Sequence, residues 1–273
     1  MIDIQSNFAA LTAQKNLAGN QSMLAGSFQK LSSGFRVNSA ADDAAGLAIS
    51  ESMKSDIRSY TVAARNAGDA QSMAQTAEGA LGDIHDVLGR MRELATQSAN
   101  GDLDSTDRGY IETEFSSLQA EVTRTQTSTK FNGVSLINAT AANVKFQVGL
   151  DNTASDQITL TFGGVQLTQI VAASTTLATA TGALAALTTI DTAIQNVSTS
   201  RATFGTAMNR MDVATNDINT MSLNLSAANS RIVDVDVAAE TANLSKNQVL
   251  VQAGAAVLAQ ANQIPQLALK LLQ

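Results

Sequence analysis

Residues 250–271, LVQAGAAVLAQANQIPQLALKL, carry apolar side chains at alternating steps of four and three. The large side chains of this repeat are Leu250, Val257, Ile264 and Leu271. Such heptad spacing places two apolar positions per seven residues on one face of a helix, and that face needs a partner helix to be buried. Chain ends normally fray unless something holds them in place. We therefore expect this end of the chain to pack against another helix, either of the same chain or of a copy.

The first 31 residues carry a similar repeat, which slips once. Ile4, Phe8 and Leu11 begin it, and Leu17, Leu24, Phe28 and Leu31 continue it after the slip. The two ends of the chain can then pair with each other, with copies of the same chain, or with both. The sequence therefore predicts a self-assembly seam that consists of Ile4, Phe8, Leu11, Leu17, Leu24, Phe28, Leu31, Leu250, Val257, Ile264 and Leu271.

The composition favours long helices with narrow contacts between them. Aromatic residues make up only 4% of the chain and tryptophan is absent, although 44% of residues are hydrophobic. Alanine, leucine, isoleucine, valine and methionine suit seams in which helix backbones approach closely. The single proline, Pro265, leaves the rest of the chain free to form uninterrupted helices. The sequence does not decide whether Pro265 kinks or ends the last helix.

Charge and composition exclude several classes of partner. The net charge is −7 and we find no basic patch, so a nucleic acid is not expected as a partner. The absence of cysteine excludes disulfides and thiolate sites. No apolar run approaches the roughly 20 residues of a membrane span, so we expect no membrane insertion. The first basic residue is Lys15 and no apolar core of a signal peptide follows it, so we expect any export to proceed without a cleaved signal peptide.

Periodicity predicts four helical tracts. They cover residues 3–33, 44–99, 105–128 and a tract from about 184 onward, whose continuation past Asn229 and Ser230 is left open. Alternating residues predict a small β-hairpin element over 143–168, with a third short strand at 165–167, and residues 171–186 are interpreted as a surface connection. The predicted fold is mainly α: a long antiparallel helical rod or coiled-coil bundle, formed by the N- and C-terminal halves, with a small β-hairpin element.

No catalytic constellation is present in the sequence. His85 is the only histidine and lies between acidic residues in a helical tract, where a solvated position is the simpler explanation than a metal site. The acidic pair Asp42 and Asp43 is better explained as the start of the second helix than as acid–base chemistry. Serine and threonine are abundant, but no basic partner activates them. We therefore expect no enzyme activity, no catalytic residues, no metal and no cofactor.

One stretch also carries a family resemblance. Residues 31–49, LSSGFRVNSAADDAAGLAI, closely resemble the junction between the terminal and rod domains of bacterial flagellins. Further stretches agree with it. They are RMRELATQSAN at 90–100, the FNG turn at 131–133, SRIVDVD at 230–236, and the region 252–265.

This resemblance implies a division of the chain into domains. Residues 1–43 and 230–273 would form the terminal domain, which lines the filament core. Residues 44–142 and 187–229 would form the helices of the rod domain, and residues 143–186 the β-hairpin element and surface connection. The chain looks like a minimal flagellin without outer domains. The resemblance further implies a structural subunit that self-assembles head-to-tail into the extracellular helical filament used for swimming, with terminal helices that fold on assembly.

The resemblance also implies partners. Besides copies of the chain, these are the filament cap, the hook-junction proteins, an export chaperone at the C-terminus and the flagellar export apparatus. An animal innate immune receptor recognises the family through the rod, and the matching positions here are Arg90, Leu94 and Glu114. The alternative is that Leu94 belongs to an intramolecular seam and that Arg90 and Glu114 form solvated ion pairs.

Three other functions remain to be compared with the filament subunit. A hook–filament junction protein would share the terminal helices, although the intact match at 31–49 favours the filament subunit. A surface adhesin or glycan binder would use residues 143–186, where Phe146 and Phe162 are the only aromatic residues. A flagellin with an inserted metalloprotease would need an HExxH motif, which the chain lacks.

Overall fold

The computed structural model describes residues 7–165, 167, 169–172 and 175–271, with side chains described up to residue 263. Its helices are α1 (Phe8–Ser33), α2 (Ala44–Ser98), α3 (Ser105–Ser128), α4 (Ala180–Val233) and α5 (Val237–Leu271). Its strands are β1 (Lys130–Phe131), β2 (Val134–Ser135), β3 (Ala142–Gln147) and β4 (Gln157–Phe162), and a 3-10 turn covers Ala154–Asp156. The prediction of a mainly α chain with a small antiparallel β element is confirmed.

The chain divides into two compact units. Unit 1 consists of Met1–Ile57 and Asn224–Gln273, and unit 2 is Arg58–Leu223. The divisions lie inside α2 and α4, whereas the sequence-based boundaries were expected at 43/44 and 229/230.

The core of unit 2 is built from the heptad residues of its helices. On α2 the buried residues at this spacing are Ala77, Leu81, Ile84, Leu88 and Met91. On the facing helices they are Ile111, Phe115 and Val122 of α3, and Ile190, Val197, Phe204 and Met211 of α4. Each fully buried Leu, Ile, Met or Phe contributes roughly 1.5–3 kcal/mol through removal of apolar surface from water. This stripe, rather than the weakly charged surface, holds the unit together.

Ion pairs across α2 and α4 show that these helices run antiparallel within unit 2. Arg201 Nη2 lies 2.6 Å from Glu78 Oε1, and Arg92 Nε lies 2.6 Å from Asp191 Oδ1. As the residue number rises along α2, that of its partner falls along α4. The paired side chains are one-third to one-half exposed, so they contribute little to stability beyond fixing the pairing.

Both predicted turn regions form β-hairpins. β1 and β2 are joined by Asn132 and Gly133, whose φ angles of 46° and 82° suit a tight two-residue hairpin turn. β3 pairs antiparallel with β4 along its whole length. Ile158, Leu160 and Phe162 of β4 are buried, since alternate side chains of a strand face the same side. The Phe162 ring stacks on Phe204 of α4, with ring centroids 5.4 Å apart.

The segment after β4 differs from the expected surface connection. Leu167, Ile170 and Leu177 are buried in the core of unit 2, and α4 already begins at Ala180, where Ala183 and Ala186 are buried as well. The expected third strand at 165–167 is absent at the two of its residues that the structure describes, and Gln166 lies outside the described residues. Small side chains gave no clear period here, which is why the sequence did not indicate a helix.

The open question about the end of α4 has a clear answer. α4 ends at Val233 and α5 begins at Val237, with Asp236 between them. The Asp236 carboxylate accepts hydrogen bonds from the Ala238 and Ala239 backbone N–H groups at 3.0 and 3.1 Å, and so caps α5. α5 then continues as a helix past Pro265 to Leu271.

Candidate self-assembly surface

Unit 1 pairs the two ends of the chain. α1 and α5 run antiparallel: the Asn7 side chain donates a hydrogen bond to the Ala261 carbonyl at 2.8 Å, and Leu17 packs against Gly254. Asn7 also caps α1, because its side-chain oxygen accepts from the Ala10 N–H at 3.0 Å. The terminal helices thus form an intramolecular pair before any second subunit is considered.

Small and medium-sized side chains fill the contact between α1 and α5, which we call the inner seam. The inner seam consists of Ala13, Leu17, Leu24, Ser27 and Leu31 of α1, and Leu244, Asn247, Val251, Gly254, Leu258 and Ala261 of α5, all buried or half-buried. A Cβ atom at Gly254 would lie 3.3 Å from Leu17 Cδ1, so glycine permits the two helices to approach closely here.

Eight residues of the predicted seam have described side chains, and five of these eight lie outside this contact. Leu17, Leu24 and Leu31 belong to the inner seam. Five others form what we call the exposed set: Phe8, Leu11, Phe28, Leu250 and Val257, whose exposed fractions run from 39% for Leu250 to 72% for Phe8. Ile4 lies outside the described residues, and Ile264 and Leu271 lie in α5 with side chains outside the described part.

Sequence reasoning missed several inner-seam residues. Ala13, Ser27 and Asn247 repeat at the same three–four spacing as their neighbours, but they are small or polar. A search for large apolar side chains passes over them. The only sequence signal was the spacing of alanine, glycine and serine relative to Leu17, Leu24 and Leu258.

Backbone hydrogen bonds close the end of unit 1 where α1 and α4 terminate, which we call the junction. Gly34 has a φ of 76° and caps α1 by donating to the Lys30 carbonyl at 2.9 Å. The Arg36 N–H donates to the Val233 carbonyl at 2.6 Å, and the Val235 N–H donates to the Gly34 carbonyl at 3.0 Å. Phe35 and Asp234 form an isolated β-bridge between these bonds.

The two acidic residues of the junction have separate roles. Asp43 accepts from the Gly46 N–H at 2.9 Å at the start of α2, as expected for an acidic residue at a helix N-terminus. Asp42 instead accepts from the Asn38 and Ser39 N–H groups and from the Ser39 hydroxyl. These hydrogen bonds, with the hydroxyl of Ser39 as the largest contributor, lower the pKa of Asp42 from its ordinary value.

The residues matched to immune recognition lie in unit 2 and differ in exposure. Arg90 Nε lies 2.8 Å from Glu114 Oε1, and Arg90 Nη1 lies 2.9 Å from Glu93 Oε2. The hydrogen bonds to Glu114 and then Glu93 raise the pKa of Arg90. Leu94 is only 2% exposed and belongs to the core of the unit. Arg90 and Glu114 therefore share an exposed ion pair, whereas Leu94 packs inside.

The sequence suggested a solvated position for His85, but the structure does not place it on a fully solvated face. It is half-buried, and its Nδ1 atom is shielded from solvent without a hydrogen-bond partner among the residues that the structure describes. The expectation failed because α2 packs on more than one side. Within the described residues, no group of three or more His, Cys, Asp and Glu side chains is arranged to hold a metal ion. No helix in the described part of the chain combines the length and hydropathy that a membrane span requires.

Comparison with known proteins gives matches at both ends of the chain. The family described as the bacterial flagellin N-terminal helical region matches residues 4–142, and the bacterial flagellin C-terminal helical region matches residues 187–272. A flagellin of Halalkalibacterium halodurans is 40% identical over 270 residues, and a flagellin of Bacillus subtilis is 39% identical over 302 aligned residues. Each alignment covers 99% of this chain and 99% of the relative.

The fold is also similar to a solved structure. The crystal structure of Bacillus cereus flagellin superposes with a TM-score of 0.50 at 35% sequence identity. The superposition covers 60% of this chain and 94% of the other. The similarity therefore extends from the sequence to the arrangement of helices.

Proposed function

Because this chain belongs to the bacterial flagellin family, we propose that the exposed set of α1 and α5 is the surface through which its subunits assemble. As a flagellin, the chain is a structural subunit of the flagellar filament that serves motility, and it is not an enzyme. Flagellar filaments of this family are extracellular. What remains to be assigned is the surface that carries assembly.

The observation that supports the surface is the contrast between the two apolar groups of unit 1. The side chains of the inner seam are buried or half-buried by contacts within the chain, whereas Phe8, Leu11 and Val257 are each more than half exposed. Removing apolar surface from water is worth about 25 cal/mol per Å², so burial of these side chains by neighbouring subunits favours association. A contact that repeats head-to-tail without closing generates a helical filament.

We further propose that the terminal helices become fully ordered only on assembly. The α1–α5 contact is lined by alanine, glycine and serine as well as leucine, so it buries less apolar area than the core of unit 2. Ordering two long helices costs conformational entropy, which such a contact offsets only in part. Neighbouring subunits supply the remaining apolar contacts, including those predicted for Ile4, Ile264 and Leu271.

The remaining partners are proposed from the family resemblance alone. They are the filament cap, the hook-junction proteins, an export chaperone that binds the C-terminus, and the export apparatus. For an animal innate immune receptor, the geometry supports Arg90 and Glu114 as surface contacts through their exposed side chains. Leu94 would act by supporting α2 from inside, since it is buried.

Negative-stain electron microscopy of the purified chain tests the assembly surface. We expect long uniform filaments from the intact chain after seeding or salting out, and none from a chain that lacks residues 230–273. Val257→Asp should also prevent filaments, because it places a charge in the exposed set. The matched control is Gln252→Asp, which adds the same charge at an exposed position on the opposite face of α5 and should still polymerise.

The results of this experiment distinguish the proposed assembly surface from the alternatives. Normal filaments from Val257→Asp would show that the exposed set does not carry assembly. Soluble particles alone from the intact chain, under conditions that polymerise other flagellins, would favour the hook–filament junction protein instead.

A further inference from the structure

The methionines that the structure describes differ widely in exposure. Met91 and Met211 are fully buried in the core of unit 2, whereas Met23 of α1 is 60% exposed and Met221 of α4 is 53% exposed. In a core, the flexible and polarisable side chain of methionine fills irregular gaps. An exposed methionine does not serve that purpose, and its thioether sulfur is open to reagents in solution.

Met23 lies on the same side of the α1–α5 pair as two residues of the exposed set. Met23, Leu250 and Val257 each come directly before an inner-seam residue, and these are Leu24, Val251 and Leu258 respectively. At about 100° per residue, each of the three is therefore turned roughly a quarter turn from the seam, in the same sense along its own helix. In an antiparallel pair, equal turns on the two helices lead to the same side of the pair.

Met23 also lies at nearly the same level of the pair as Leu250. Leu17 packs against Gly254, and the helices are antiparallel. Six residues further along α1 is Met23, and six residues back along α5 is Gln248. Leu250 is two residues from that level, which is roughly 3 Å along the helix axis. Met23 thus extends the apolar surface that Leu250 and Val257 present on this side.

The thioether of an exposed methionine reacts with peroxides. A lone pair of the sulfur attacks one oxygen atom of hydrogen peroxide, the S–O bond forms as the O–O bond breaks, and water leaves. The sulfur is oxidised and the peroxide is reduced. The product is a polar, chiral sulfoxide, which methionine sulfoxide reductases return to the thioether. Among the described residues of unit 1, Met23 is the exposed methionine, since Met53 is half-buried.

We propose that Met23 is a reversible oxidation site of the free subunit, at which hydrogen peroxide forms a sulfoxide that blocks addition of that subunit to a filament. A sulfoxide beside Leu250 and Val257 loses its hydration when a neighbouring subunit covers this surface. The blocking step rests on the proposed function, because it requires the surface to be covered in the filament. The oxidation step rests on the exposure of Met23 alone.

Peptide mass mapping of dilute full-length subunits during treatment with hydrogen peroxide tests the oxidation step. Met23 and Met221 should each gain an oxygen atom about tenfold or more faster than Met91 and Met211, which peroxide reaches only when unit 2 opens. Oxidation of Met23 at the slow rate of Met91 would overturn the proposal. This measurement needs no filaments, so its result does not depend on the assembly experiment.

Elongation of filament seeds tests the blocking step. Subunits treated until Met23 is fully converted should elongate seeds about tenfold or more slowly than untreated subunits, because a polar group has to be desolvated at the contact. Met23→Leu keeps an apolar side chain of similar volume that peroxide does not oxidise, so treated Met23→Leu subunits should elongate like untreated ones.

Met221→Leu is the matched control, since it removes the other strongly exposed methionine and leaves Met23 in place. Treated Met221→Leu subunits should still be blocked. Rescue by Met221→Leu and not by Met23→Leu would contradict the assignment of the site.

Reduction of the oxidised chain with the two methionine sulfoxide reductases, one for each epimer, should restore elongation. A block that persists after complete reduction of Met23 would contradict a reversible site. Normal elongation of fully oxidised subunits would overturn the blocking step while the assembly surface stands. Failure of the untreated chain to elongate would instead count against the proposed function, and against the blocking step with it.

Discussion

At the scale of single residues, Gly163 of unit 2 is constrained both by its backbone conformation and by its neighbours. Its φ of 75° lies in the left-handed region, and a Cβ atom there would overlap the Thr140 carbonyl oxygen and the Asn138 side chain. Its N–H donates to the Leu136 carbonyl at 2.7 Å, which fixes the turn after β4. The glycine is required here both by its backbone conformation and by the absence of space.

Gly163→Ala should therefore lower the free energy of unfolding by about 2 kcal/mol or more, because the cost of the strained backbone and the cost of the steric overlap of the new Cβ atom add together. Urea denaturation followed by circular dichroism measures the change. Gly109→Ala is the control: Gly109 lies within α3 with open space around its Cα, so alanine should raise stability by about 0.5–1 kcal/mol. Equal effects of the two substitutions would contradict the constraint at Gly163.

The residue scale also shows where the sequence was informative and where it was not. Asp43 was predicted to start α2, and its bond to the Gly46 N–H is the local signal expected of a helix start. The partial burial of His85 could not be predicted from the sequence, since its neighbours Asp83 and Asp86 are exposed and only three-dimensional packing distinguishes adjacent faces of a helix.

At the scale of elements, α3 holds the segment after β4 through a polar stripe. Glu112, Gln119 and Gln126 are seven residues apart on α3. Glu112 accepts from the Leu177 N–H, Gln119 donates to the Ile170 carbonyl at 2.6 Å, and Gln126 donates to the Val165 carbonyl at 3.1 Å. Side chains at heptad spacing thus replace the backbone partners that a strand would have supplied.

Gln119→Ala should destabilise unit 2 by about 1–3 kcal/mol, because two carbonyl groups, those of Ile170 and Thr175, lose their donor in a partly buried place. The urea midpoint measures the loss. Ser116→Ala, an exposed substitution on the same helix, should leave the midpoint nearly unchanged. A loss in the control as large as in Gln119→Ala would point to helix propensity instead of the polar stripe.

Sequence periodicity located the elements better than it located their contacts. Four tracts of large apolar residues gave α1, α2, α3 and most of α4, and alternation gave the β3–β4 hairpin. The start of α4 and part of the inner seam were missed for one reason: both pack there through small side chains such as Ala13, Ala183 and Ala186. Two helix backbones approach closely only where the side chains between them are small. A pattern of hydrophobic residues does not indicate side-chain size.

At the scale of the whole molecule, the proposed ordering of the ends on assembly predicts a change in proteolysis. Lys15 and Lys246 lie on α1 and α5, and trypsin should cut there quickly in free subunits and slowly in filaments. Limited digestion with mass spectrometry of the fragments measures both rates. Arg201 of α4, which pairs with Glu78 of α2 in unit 2, should be cut slowly in both states. Equally slow cleavage at Lys15 and Lys246 in free subunits would show that the ends are already ordered.

The hydrogen bond from Asn7 to Ala261 joins residues 254 positions apart in the chain. During synthesis at ~5–20 residues per second, α1 leaves the ribosome roughly 10–50 seconds before its partner on α5 exists. Unit 2 has all of its helices well before that time, whereas unit 1 can only be completed after nearly the whole chain has been translated. Among the residues that the structure describes, this hydrogen bond spans the longest stretch of chain, so it can form only after the helices of unit 2 have been synthesised.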